Sequence, residues 1–295
     1  MSYDLRKYAP RPPSSSDKMN KRTFTILDHF LRDNSHYQTA RKGEPSTINI
    51  PLLKQFLVDL FFLTYFWVPE EVPEPNIIVV GSGAGEYYLF LSELFPTATF
   101  YLYDDVEFII EEDSSDRVFV SNEEFNPGMF SGDNTYLISH IKSSNREADM
   151  ELQISWIKTL KPIKAMLRYD INYTNYYDGY ALLPPWDKQS YELYLVPTDN
   201  LDKRKWNLKL LRKQLWYHYH IVREYHNYLN IFTNRWDVYD EDELINTRWD
   251  DTWTMSILRD YLTKMAEVDN IESVMALLKT IYIELSLNIA SLKTK

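Results

Sequence analysis

Cysteine is absent from the 295 residues, so neither a disulfide framework nor a thiolate metal site is available, and a reducing compartment is the natural setting. Long apolar runs are absent too. The longest, LVDLFFLTYFWV, contains an aspartate and is too short to span a bilayer. The amino-terminal MSYDLRKYAPRPPSSSDKMNKR has no apolar core of the kind a signal peptide needs. These absences lead us to expect a cytoplasmic protein with no membrane partner. An excess of positive charge is also missing: the net charge of -11 argues against a general nucleic-acid coat protein, whose affinity comes from neutralised phosphates. Glycine is scarce, at seven residues, and three of them fall within five positions, Gly81, Gly83 and Gly85.

What is present supports a folded chain. Hydrophobic residues make up 44% of a length that suits one large domain or two small ones, enough for a real core. Aromatic residues reach 15%, with 23 Tyr and 8 Trp, which reads either as a tyrosine-rich core and partner surface or as stacking platforms for bases. Charge is uneven: residues 1 to 44 hold nine Lys/Arg against five Asp/Glu, whereas VYDEDELINTRWDD is strongly acidic. Local basic surface is therefore compatible with the negative total.

Along the chain, residues 1–22, with APRPPSSS, read as a flexible arm, and residues 23–295 as a single domain. INIPLLKQFLVDLFFLTYF has apolar residues at helical spacing, predicting a helix over about 50–66 with one buried face. Strand-like runs follow at IIVV, TFYLYD, RVFVS, TYLISHI, IKAMLRYDI and YELYLVP, with helical spacing in GEYYLFLSELF and DMELQISWIKTL between them. Strands alternating with helices imply an α/β fold with a mostly parallel, doubly wound sheet and flanking helices, its core at about 76–197. A carboxy-terminal helical extension at about 203–292 is expected from KWNLKLLRKQLWYHYHIVREYHNYLNIF, WTMSILRDYLTKM and VMALLKTIYIELSLNIASL.

Glycines after a strand let the backbone turn sharply and approach a ligand, while the next helix offers its first NH groups. The loop Gly81-Ser82-Gly83-Ala84-Gly85 lacks the Lys-Ser/Thr of a phosphate-binding P-loop and is shorter than the dinucleotide pattern GxGxxG. The next strand ends in Asp104, where an acid could hold ribose hydroxyls. This pairing suits S-adenosylmethionine better than a dinucleotide, although a tight structural turn calls for the same glycines.

The segments KQFLVDLFFL, VVGSGAG, LYD, LISHIKS, KPIKAMLRYD and SYELYL, with the tract around YHIVREY, follow in an order that resembles the poxvirus-type cap-specific mRNA 2'-O-methyltransferase. That family also serves as the small, regulatory subunit of the viral poly(A) polymerase. The resemblance covers roughly residues 47 to 290 and implies a Rossmann-like methyltransferase fold in a viral or virus-like element. A related lineage, the small subunit of the poxvirus capping enzyme, resembles the same fold with its catalytic site lost. In the family a Lys-Asp-Lys-Glu tetrad deprotonates the ribose 2'-hydroxyl, the second lysine taking the proton.

Carried onto this sequence, the resemblance implies tetrad positions at Lys54, His140, Arg168 and Glu192, two retained and two substituted. Arginine stays protonated in proteins and cannot act as a general base, so residue 168 lacks the family's proton acceptor. His140 or Lys54 could take over that role. The cofactor loop has Gly-Ser-Gly-Ala-Gly where the family has Gly-Ser-Ala-Pro-Gly, and Tyr87 and Tyr88 after it could pack against an adenine or fill its pocket. The family's cap pocket sandwiches methylguanine between aromatic rings; Tyr173 and, more loosely, Tyr37 match those rings. Asn175 stands where an acid would read the base edge.

No metal is expected. His218 and His220 are two apart on an expected helix and point to different faces, and the acidic run at 240–243 lacks the glycine and spacing of a calcium loop. The expectation is a methyltransferase-fold protein of mRNA processing with a degenerate tetrad. The partners it implies are a poly(A) polymerase catalytic subunit or a capping enzyme large subunit, and capped mRNA. An active cap 2'-O-methyltransferase and an interaction protein without RNA contact are the alternatives.

Overall fold

The computed structural model describes residues 38–39, 49–111, 114–170, 176–185, 192–201, 203–204, 225–226 and 249–292. Helix α1 occupies Ile50–Phe66, where the apolar spacing places it. Asn49 caps it by accepting a hydrogen bond from the Leu52 amide at 3.3 Å, and Pro51 sits in the first turn, where its missing N–H costs nothing. The expected single buried face is wider than foreseen. Every residue from Leu52 to Thr64 except Lys54 and Gln55 is buried, because α1 is enclosed on several sides. Phe62 meets Tyr136 of the sheet, Phe56 meets Phe90, and Phe61 meets Trp253.

The sheet has seven strands: β1 Asn76–Val80, β2 Thr99–Tyr103, β3 Val118–Ser121, β4 Thr135–Ser139, β5 Lys164–Asp170, β6 Gly179–Leu182 and β7 Glu192–Pro197. Their spatial order is β3-β2-β1-β4-β5-β7-β6. Only β7 runs against the rest, pairing antiparallel with both β5 and β6. Strand order reverses between β1 and β4, so the chain ends there open a crevice at the carboxyl edge of the sheet. This is a doubly wound, Rossmann-like sheet with flanking helices. Strand β6 went unread in the sequence: GYAL is short, and its glycine disfavours a strand. Gly179 is tolerated because an added Cβ would lie 2.3 Å from the Val196 carbonyl of the neighbouring strand.

Helix α2 (Tyr88–Leu94) follows β1 and helix α3 (Arg146–Leu160) follows β4. Asn145 caps α3 through the Ala148 amide, and Lys161 ends it in the left-handed region at φ 53°. Helices α4 (Trp249–Met265) and α5 (Ile271–Leu292) cover the expected extension from residue 249 onward. The Lys264 ammonium donates to the Thr64 and Trp67 carbonyls, satisfying the end of α1. Of the helix expected over 205–232 only Tyr225–His226 are described, and they form a short strand paired antiparallel with Gln38–Thr39 instead of a helical turn. His218, His220 and the acidic run at 240–243 lie outside the described residues.

Two crossovers depart from the doubly wound pattern. Among the described residues neither the β2–β3 connection nor the β3–β4 connection contains an α-helix; the latter has two short 3-10 turns, Pro127–Met129 and Gly132–Asn134.

Because Phe62 is fully buried between α1 and Tyr136, Phe62→Ala is expected to lower unfolding free energy by about 3–5 kcal/mol, as measured by urea denaturation with the slope unchanged.

Candidate functional site

The glycine loop lies at the carboxyl end of β1, and all three of its glycines have positive φ. Two of them answer to the protein's own packing. A Cβ on Gly81 would lie 2.9 Å from the Ile141 amide nitrogen, where the chain leaving β4 crosses the loop. A Cβ on Gly85 would lie 2.8 Å from Ile110 Cδ1 and 3.3 Å from Phe108, because the segment after β2 folds back over the loop. The Ile109 amide donates to the Ala84 carbonyl at 3.0 Å and holds that return in place. Gly83 differs: its added Cβ would approach only the tip of the Glu86 carboxylate, at 3.2 Å.

Asp104, one residue past β2, faces this loop. Its Oδ2 accepts from the Gly83 amide at 2.7 Å and its Oδ1 from the Val106 amide at 3.0 Å. A carboxylate offers about four lone-pair sites, so these bonds leave acceptor capacity. Burial pushes the Glu86 carboxyl above the ordinary carboxylate range, and the charge of Asp104 adds to the rise. Ser82 and Ser139 bring buried hydroxyls to this part of the sheet that make no hydrogen bond.

Directly beneath the loop lies a polar cluster. Asp59, the acid inside the apolar run of α1, is fully buried. Its Oδ2 accepts from the hydroxyls of Tyr87 at 2.7 Å and Tyr88 at 2.9 Å, and the two phenol oxygens are 2.9 Å apart. Two phenolic protons serve three contacts, so with both directed to the carboxylate the tyrosines are held together by their shared acceptor. Asp59 Oδ1 lies 2.8 Å from His140 Nε2, but the two are not aligned as a hydrogen bond, so the pairing is one of electrostatic proximity. On the other side of the imidazole, Nδ1 is 3.1 Å from the Tyr194 hydroxyl of β7. That hydroxyl donates to Nδ1 when Nε2 carries the ring proton. Burial, and then the charge of Asp59, push both Tyr87 and Tyr88 phenols well above their ordinary value.

His140 therefore has both ring nitrogens turned into the protein, at 4% exposure. Arg168 of β5 donates from Nη1 to the His140 carbonyl at 3.2 Å, and its own carbonyl accepts from Gln153 of α3 at 3.1 Å. Glu192 begins β7 opposite Asp170, two pairs from the Arg168–Tyr194 pair. Lys54 lies on α1, five residues before Asp59. His140, Arg168 and Glu192 thus gather around the carboxyl ends of β4 and β5. Tyr87 and Tyr88 are buried with their hydroxyls on Asp59, so neither offers a ring to an adenine. Tyr37, Tyr173 and Asn175 lie outside the described residues.

The sequence reading missed Asp59, Tyr194 and Gln153. A signal existed for Asp59: a lone acid within an apolar run must find buried partners. Nothing in the sequence said which partners.

The sequence matches no family model, and no curated protein matches it. A solved structure of human Methyltransferase-like protein 13 in complex with SAH is similar at 13% identity and a TM-score of 0.33. The alignment covers 56% of this chain and 92% of that one.

The raised phenols set a pH dependence. A tyrosine whose folded pKa lies above its unfolded value near 10 stabilises the fold below that value, and the contribution is lost as pH rises through the folded pKa. Unfolding free energy is expected to decline above about pH 10 in urea titrations. Asp59→Ala, which strands the partners, is expected to cost about 3–5 kcal/mol at neutral pH and to flatten that decline.

Proposed function

We propose that this chain is a methyltransferase-fold subunit of an mRNA-processing assembly that has lost efficient 2'-O-methyl transfer. Its role is to regulate a poly(A) polymerase catalytic subunit or a capping enzyme large subunit. The observation that carries the reading is the state of the two substituted tetrad positions. His140 is buried with Nε2 beside Asp59 and Nδ1 against the Tyr194 hydroxyl, and Arg168 presents a permanent cation that donates to the His140 carbonyl. A 2'-hydroxyl must lose its proton to attack a methyl donor, and neither position offers an acceptor for it.

Loss of the base does not require loss of the cofactor. The residues around the glycine loop fit S-adenosylmethionine: Gly83 leaves an open face, Asp104 retains acceptor capacity for ribose hydroxyls, and Glu86 and Asp104 together favour a cation such as its sulfonium. When bound, the cofactor supplies an electrophilic methyl group. The chain's own part is to hold it through Gly83, Asp104 and Glu86.

A second reading is an active cap-specific 2'-O-methyltransferase with Lys54 as the base. It is favoured by the retention of Lys54 together with that open face at Gly83.

Calorimetry is expected to show S-adenosylmethionine binding more tightly than its uncharged demethylated product. Affinity is expected to fall as pH drops and Glu86 protonates, and Asp104→Asn to weaken binding about tenfold. With capped RNA and labelled cofactor, no methylated first nucleotide is expected above background. A capped product that Lys54→Ala abolishes would establish the second reading and end the first.

A further inference from the structure

Toward the β3 edge, one region of the sheet is covered among the described residues mainly by aromatic side chains, with α3 reaching it through Trp156 against Phe125. On β2, Phe100 and Leu102 turn inward, and Phe100 meets Tyr88; Tyr101 and Tyr103 turn to the opposite face. There Phe119 of β3 stacks on Tyr101 with centroids 5.3 Å apart, and Phe130 closes on Tyr101 edge-to-face at 5.0 Å. Beside Phe130, Met129 is 71% exposed, and Phe119 is 48% exposed. A doubly wound sheet ordinarily lays crossover helices over such a face; here the described residues of these crossovers supply 3-10 turns instead. Among the described residues β3 is also the sheet edge. It pairs only with β2, so the main-chain groups on its other side have no strand partner.

The charge around this face is lopsided. Residues 116–134, which form β3 and the connection after it, hold four acids against one base, Arg117. Arg117 is already committed to the Ser92, Phe95 and Ala98 carbonyls. Glu123 and Glu124, exposed just beyond β3, stand at the rim. An acidic rim repels RNA and anionic lipid, and it opposes the self-complementary approach of a second copy of this chain. It attracts a basic polypeptide.

We infer that the β3 edge, with Phe119, Tyr101, Phe130 and Met129, is a protein-docking surface. Its occupant is an extended basic segment of a partner protein in which Arg or Lys alternates with apolar residues. Added along β3, such a segment turns its apolar side chains onto Phe119 and Tyr101 and its cations toward Glu123 and Glu124. Main-chain pairing supplies affinity, and the alternation supplies specificity. Arginine has a further use for exposed rings, through its attraction to their faces. The β3 edge lies at the opposite side of the sheet from the tetrad positions on β5 and β7, and its test reads peptide binding in the absence of cofactor and RNA.

The test uses the full chain and a fluorescein-labelled peptide of alternating arginine and valine, followed by anisotropy and by amide hydrogen exchange. Saturable binding is expected, with slowed exchange in residues 118–121. Affinity should fall about tenfold for Phe119→Ser and also when serine replaces valine in the peptide. The exposed pair Glu123→Lys/Glu124→Lys, which leaves the aromatic packing untouched, should weaken binding and reduce its salt dependence. The inference is overturned by absent binding, by equal binding of the arginine–serine peptide, or by protection confined to other strands. Protection of 118–121 by an RNA oligonucleotide or by self-association would overturn it as well.

Discussion

A single carboxylate, Asp59, sets the terms for the rest of the structure. It sits in the most thoroughly buried helix of the described fold, where an unpartnered charge would be prohibitive. The chain meets that cost by drawing in Tyr87 and Tyr88 from the start of α2 and His140 from the end of β4, with Tyr194 of β7 behind the imidazole. One side chain thereby couples α1 to the turn after β1 and to two further strands. Those are the strand ends at which a doubly wound sheet builds its binding crevice. The requirement to satisfy Asp59 therefore decides where the glycine loop stands and where His140 points.

That coupling changes the meaning of the tetrad substitutions. A histidine at an orienting-acid position would suggest a relocated base if its ring faced solvent. Here the ring is committed on both sides, and the adjacent carbonyl receives the Arg168 guanidinium. The same corner of the sheet nonetheless keeps an open face at Gly83 beside two acids. The crevice thus has features suited to holding a cationic ligand, while the neighbouring His140 is buried in the core. On the function proposed above, binding and chemistry are separable properties of this fold.

The other departure from pattern lies at the opposite edge. Where crossover helices would shield β2 and β3, aromatic side chains and acidic loops stand instead. Apolar residues left at a sheet edge invite pairing with other chains. Surrounding them with like charge narrows the set of acceptable partners, a form of selection by repulsion.

Much of this fold was legible in the sequence. Helix α1, six of the seven strands and the glycine turn could be read because their signals are local: apolar spacing, β-branched runs and glycines after a strand. Strand β6 was not, since its pairing with β7, rather than its composition, makes GYAL a strand. The residue types at 54, 140, 168 and 192 were likewise visible, and arginine's inability to accept a proton follows from its chemistry alone. The commitments of those residues were not visible. That Asp59 would claim His140, that Tyr87 and Tyr88 would turn inward, and that Phe108 and Ile110 would close over Gly85 depend on contacts between segments distant in sequence. Such contacts are decided by packing and by the need to satisfy buried polar groups, and they exist only once the sheet has assembled.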